Sequence, residues 1–254
     1  MKTKYIILSI FCLFFEMQVC YSQEIDFIHN RFAVVINDSN FHLDISVKLT
    51  YPVVQQKDTN LLNIRRTILS EIFETPTDSV ITDSLTLITI FFGIDSLELE
   101  IERAKEFDLK AKYRKEIDVN SRYVNSNILY YRIFTHTYLN KARGYTKETY
   151  LTFNLSTGKR LTEEDIFKEN YQEVITQFIL KKLKKENPKD VFYKDKVRPN
   201  GNFFVDEEGI TYLFNSNEIA AFGHIKIFIP YKEIKAILKD ESPIRSLINV
   251  TVKM

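Results

Sequence analysis

The chain has 254 residues, with 35 Lys and Arg against 34 Asp and Glu, six glycines, two cysteines and no tryptophan. So even a balance excludes the overall basic excess of a nucleic-acid binder, and six scattered glycines exclude a Gly-rich phosphate loop. The length predicts one compact domain, or two small ones sharing a sheet, with an ordinary hydrophobic core.

Residues 1–22, MKTKYIILSIFCLFFEMQVCYS, have the three parts of a secretory signal. Lys2 and Lys4 open it, an apolar run follows from Tyr5 to Phe15, and Cys20 and Ser22 stand at −3 and −1 of a cut before Gln23. The run is shorter than the roughly 20 residues of a spanning helix, and Glu16 and Gln18 end it early, against an uncleaved anchor. A lipoprotein starting at Cys20 is the competing reading; Met17 and Val19 stand where a lipobox carries Leu and a small residue. Both cysteines, Cys12 and Cys20, lie in this leader. The expectation is therefore a periplasmic or secreted protein without disulfides or thiol chemistry. Its mature part has 33 charges of each sign and no transmembrane segment.

Residues 41–54 alternate at period two, with Phe41, Leu43, Ile45, Val47 and Leu49 on one side, and predict a half-buried strand ended by Pro52. Residues 60–74 put Leu61, Ile64, Ile68, Leu69 and Ile72 on one helical stripe, with Asn60 as the expected N-cap and Pro76 beyond the end. Residues 79–96 are apolar and ambiguous between strand and buried helix. Residues 97–117 are heavily charged and predict a solvated helix.

The second half is richer in signals. Residues 127–139 predict an aromatic strand and 145–155 its antiparallel partner. A turn at Thr157-Gly158 leads to a short helix capped by Thr162 with Asp165 three residues on. Residues 171–187 predict an amphipathic helix burying Tyr171, Val174, Ile175, Phe178 and Leu183, stopped by Pro188. Lys181, Lys182, Lys184 and Lys185 suit its C-terminal dipole, or else mark an anion-facing patch. Residues 201–214 predict a hairpin turning at Glu208-Gly209, residues 224–230 a last core strand, and residues 231–238 a helix introduced by Pro230. Together these predict an α+β fold: a mainly antiparallel sheet with helices packed on one face, divisible into subdomains at 23–120 and 121–254.

The order of elements over 127–238 resembles the C-terminal extracytoplasmic domain of RsiV-type anti-sigma factors, found also in PdaC-type peptidoglycan deacetylases and uncharacterised exported bacterial proteins. Three stretches carry it. LTFNLSTGKRLTEEDIF (151–167) fits through Asn154, Thr157, Gly158, Lys159, Leu161, Asp165 and Phe167. Residues 215–220 fit the family's Asn-x-x-Glu-Ile-Ala segment, and residues 229–234 its Ile-Pro-Tyr-x-Glu-Ile close. In the family a Gly-rich turn containing His follows the first long strand. Here it reads NKARG (140–144), so only Ala142 and Gly144 fit. The resemblance implies a receptor-like module that binds lysozyme in RsiV-type proteins, without the deacetylase domain or cytoplasmic segment of its relatives. Its expected contact residues are Asn140, Lys141, Ala142, Arg143 and Gly144, with Tyr138 and Tyr145 beside them.

Catalytic signals are sparse. His29, His42, His136 and His224 are scattered and form no metal-ligand spacing. Asp206, Glu218 and His224 would make an acid–base group only if the fold gathered them. Seven tyrosines and phenylalanines, among them Tyr123, Tyr130, Tyr131, Phe134 and Tyr150, fit a recognition surface and a core equally well. Asn215 and Asn217 suit turn positions. The expectation is a non-catalytic binding or sensing module for an envelope protein, lysozyme among them, or for a cell-wall glycan, with no cofactor, metal or nucleic acid. The alternative is an envelope hydrolase built on the acidic residues and a histidine.

Overall fold

The computed structural model describes residues 25–37, 41–54, 58–73, 111–139, 144–186, 193–221 and 223–250. The leader, residues 79–96 and the NKAR stretch 140–143 lie outside them. The fold is α+β, with a six-stranded sheet in the order β1-β2-β3-β4-β5-β6 and a three-stranded sheet β7-β8-β9. No described helix is long and apolar enough to cross a membrane.

The chain divides into two compact units, neither continuous in sequence. The first comprises Met1–Val53, Leu69–Val119 and Phe134–Thr146, the second Val54–Ile68, Asn120–Ile133 and Lys147–Met254.

In the first unit, β1 (Phe27–Asn37) pairs antiparallel with β2 (Phe41–Pro52) along its whole length, and β2 pairs in parallel with β3 (Ala111–Asn125). Val47 of β2 is buried between half-buried Ser46 and exposed Lys48, as a period-two strand requires, and from Leu49 to Pro52 the strand is buried on both faces. The helix expected over 97–117 is corrected here, because its described part is the start of β3. Ile117 and Val119 are buried on either side of half-buried Asp118, so the apolar period is two. The i,i+4 charge pairs that favoured a helix are worth only about 0.2–0.5 kcal/mol each. They lose to strand pairing. Strand β1 lies outside the predicted elements, which begin at Phe41.

Helix α1 (Thr59–Phe73) contributes to both units. Its buried stripe is Ile64, Ile68, Leu69 and Ile72, as the spacing predicts. Its cap is Asp58 rather than Asn60: Asp58 Oδ1 accepts from Leu61 N at 3.0 Å, and Asp58 O accepts from Leu62 N at 3.1 Å. Asn60, the second residue of the helix, instead donates from Nδ2 to Ser156 O at 2.9 Å.

In the second unit, β3 turns through Ser126-Asn127 into β4 (Ile128–Leu139), with Asn125 Oδ1 accepting from both Asn127 N and Ile128 N at 2.8 Å. Strand β5 (Tyr145–Asn154) lies beside β4 and pairs with the short β6 (Lys159–Arg160). The Thr157-Gly158 turn between them has a strict steric reason. Gly158 has φ 65°, and a Cβ there would run into the backbone of Asn60.

After the turn comes α2 (Glu163–Ile166), where Asp165 Oδ2 accepts from Thr162 N at 2.8 Å as the capping reading predicts. Helix α3 (Tyr171–Glu186) then packs on the three-stranded sheet of β7 (Phe203–Val205), β8 (Gly209–Phe214) and β9 (Ile225–Pro230). Tyr171, Ile175, Ile179 and Leu183 form its buried stripe against Tyr212, Ile227 and Ile229. Each aliphatic side chain so buried contributes about 1.5–3 kcal/mol. Val174 was expected inside and is 38% exposed; Ile179 takes the core position four residues after Ile175. Pro230 precedes α4 (Tyr231–Ile234), a single turn that tightens to a 3-10 turn at Lys235–Ile237 rather than running to residue 238. A final helix, α5 (Arg245–Val250), was not anticipated.

Candidate functional site

In the first unit, the end of β4 and the start of β5 carry the described part of the expected contact region. Tyr138 is half-buried and Tyr145 is 49% exposed. His136 lies so close over Gly144 that a Cβ at Gly144 would meet its Cε1 at 2.6 Å. His136 Nδ1 also sits 3.2 Å from Thr146 Oγ1. An imidazole wedged against a glycine backbone and tied across the strands fixes the base of this hairpin and leaves Tyr145 outward. Asn140, Lys141, Ala142 and Arg143 lie outside the described residues.

The second unit holds a charged node that sequence reasoning missed. Glu148 of β5 is 5% exposed, and its Oε1 accepts from Tyr150 Oη at 2.6 Å, Arg132 Nε at 2.7 Å and Lys226 Nζ at 3.0 Å. Burial alone would raise its pKa. The hydrogen bonds from Arg132, Tyr150 and Lys226 outweigh that and hold it at about 2. Lys226 also bonds Tyr150 Oη at 3.1 Å and lies over the Tyr150 ring. Tyr130, Tyr150 and Phe204 pack together beside it, with Phe204 4.6 Å from Tyr150 and 4.9 Å from Tyr130.

The backbone at Glu148 is held as firmly as its side chain. Asn215 Oδ1 accepts from Glu148 N at 2.8 Å while Asn215 Nδ2 donates to Glu148 O at 3.1 Å. Asn202 repeats the move one residue pair along, donating to Glu148 O at 2.9 Å and accepting from Tyr150 N at 2.8 Å. Two asparagines at the ends of the β7–β8 hairpin therefore stand in for a missing strand beside β5. Asn215 does serve the expected turn, its O accepting from Glu218 N at 3.1 Å, and its buried side chain is a clasp as well. Asn217 does take the turn, with φ 69°.

A second buried carboxylate, Glu163, accepts from Gly201 N and from Tyr171 Oη, both at 3.1 Å. Burial pushes its pKa up against these bonds. The fully buried Tyr212 hydroxyl lies near it without closing a well-formed hydrogen bond, and burial together with the Glu163 charge raises the Tyr212 pKa.

Asp206, Glu218 and His224 are not gathered. Asp206 caps the β7–β8 turn, accepting from Glu208 N and Gly209 N at 2.8 and 2.9 Å. Glu218 accepts from Asn200 and Asn215. His224 precedes β9, whose Ile225 pairs with Phe214 while Pro230 pairs with Gly209. His224 and Glu218 thus sit at one end of β8 and Asp206 at the other, roughly 17 Å away at strand rise. The His224 ring nitrogens bond to nothing described.

With this geometry in view, comparison places the chain among related folds. Residues 164–232, from α2 to α4, match the family model described as a protein of unknown function, DUF3298. No curated protein matches. The crystal structure of a DUF3298 family member from Bacteroides fragilis superposes with a TM-score of 0.75 at 21% identity, covering 89% of this chain and 98% of that one. A DUF3298 family protein from Pseudomonas aeruginosa gives 0.57 at 10% identity, over 86% and 96%. At these identities the likeness is one of fold, and it runs along nearly the whole of both relatives.

Proposed function

We propose that the chain is an exported, non-catalytic binding module whose ligand contact is the β4–β5 hairpin end. The observation that carries this reading is Tyr145, 49% exposed beside a hairpin base fixed by His136, Gly144 and Thr146. A tyrosine held outward on a rigid strand end offers large amphipathic contact area at small entropic cost. The secretory pattern of residues 1–22 and the resemblance over 127–238 to RsiV-type receptor domains support an envelope protein or cell-wall glycan as partner, with c-type lysozyme first to test. The buried carboxylates are engaged in holding the chain, so the same geometry favours recognition over the hydrolase alternative.

The test is binding of residues 23–254 to c-type lysozyme and to purified peptidoglycan, with Tyr145→Ala beside the parent. Saturable binding weakened roughly tenfold or more by the substitution is expected, on the scale of an interface tyrosine. Absence of binding to either at micromolar concentration overturns the reading.

A further inference from the structure

The exposed side of α3 points to a second contact, and we infer that its C-terminal half docks on an anionic lipid surface. Lys181, Lys184 and Lys185 are exposed there at i, i+3 and i+4, so they share one face. Lys182, on the flank, reaches Glu233 at 3.6 Å and ties α3 to α4. That pair uses the nearby acid. It also brings in Lys232 and Lys235, both exposed, on the tied segment. None of these five remaining ammonium groups makes an ion pair with a described side chain.

The helix dipole accounts for Lys184 and Lys185 in the last turn. It does not account for Lys181, or for Lys232 and Lys235 on another segment. In a chain of net charge +1, five cations on two joined elements without an ion pair among the described residues are a local asymmetry rather than general basicity. Apolar residues lie among these lysines and along both edges of their face. Val174 is 38% exposed, and Phe178 and Leu180 are only partly covered by the core. Lysines interleaved with half-covered apolar residues fit a headgroup layer, where phosphates meet the cations and the apolar groups reach the acyl boundary. This surface is independent of the hairpin reading.

Co-sedimentation of the exported chain with vesicles tests it. Vesicles of phosphatidylcholine containing about one quarter phosphatidylglycerol should pellet the protein at low salt, and vesicles of phosphatidylcholine alone should not. Binding should fade by about 0.5 M salt, where the screening length is only a few ångströms. Replacing Lys181, Lys184 and Lys185 together by Gln should lower the partition coefficient roughly a hundredfold, at about fivefold per lysine. These side chains are exposed, so circular dichroism and hairpin-ligand binding should be unchanged. Equal pelleting on both vesicle types, an unaffected triple variant, or retention on a heparin column without vesicle binding would each overturn the inference.

Discussion

Glu148 and Glu163 both lie in the second unit, are 5% and 8% exposed, and accept from a tyrosine hydroxyl, yet their protonation is pushed in opposite directions. What separates them is the company of cations. Glu148 has Arg132 and Lys226 on one oxygen, and their attraction exceeds the cost of burial. Glu163 has a backbone N–H and tyrosines, with Glu164 nearby, and burial wins. Similar burial therefore produces a locked anion in one place and a carboxyl leaning toward neutrality in the other.

Breaking Glu148 should have the largest effect. Glu148→Gln removes the charge shared by Arg132 and Lys226, whose side chains are 35% and 47% exposed. Water partly compensates them, so the expected loss at pH 7 is about 2 kcal/mol, read as a lower urea midpoint. The sign of its pH dependence follows from a depressed pKa. The stabilisation is complete above the unfolded value of 4.5 and is lost as pH falls toward about 2. Parent and variant stabilities should converge over that interval.

Asn215→Ala ranks next. It strips the Glu148 backbone of one donor and one acceptor while leaving the carboxylate node intact, and should cost about 1–2 kcal/mol in the same assay. Asn215→Asp, which keeps the acceptor and loses the donor, should not restore it.

The mildest expected change sharpens the contrast. Glu163→Gln keeps an acceptor for Gly201 N and removes a charge that burial disfavours. A raised pKa means that the folded state holds the proton better. Its favourable contribution is therefore present below the unfolded pKa and fades as pH rises through the folded one. The variant should gain on the parent as pH rises from the unfolded pKa of Glu163 through its folded one, and should lie within about 1 kcal/mol of it at neutral pH. A loss as large as that of Glu148→Gln would erase the distinction.

Much of this architecture is written locally. The turn at Gly158, the Thr162–Asp165 cap, the α3 stripe and the hairpin at Glu208-Gly209 depend on residues a few positions apart, and each could be read from spacing. The charged node could not. Lys147-Glu148-Thr149 looks like a solvated stretch of an alternating strand. Glu148 meets Asn202, Asn215 and Lys226 from 54, 67 and 78 residues away. The available hint was an asparagine just before β7 and another just after β8, flanking an apolar hairpin. The start of β3 misled for the same reason, since the parallel partner that makes it a strand is β2, on the far side of α1. Of the hairpin site, the sequence pointed to Tyr145 and Gly144, but the imidazole packed over Gly144 becomes visible only with the fold.

The hydrogen bond from Asn60 to Ser156 spans 96 residues, and the segment bearing Asn60 belongs to the same unit as the chain beyond Lys147. At about 5–20 residues per second of synthesis, the start of α1 waits several seconds for the turn it packs against. The first unit's last segment ends at Thr146, so its chain is made before Ser156, whereas the second unit runs on to Met254. The start of α1 therefore emerges long before the turn whose Gly158 packs against Asn60. Completion of the second unit, unlike that of the first, is tied to the end of translation.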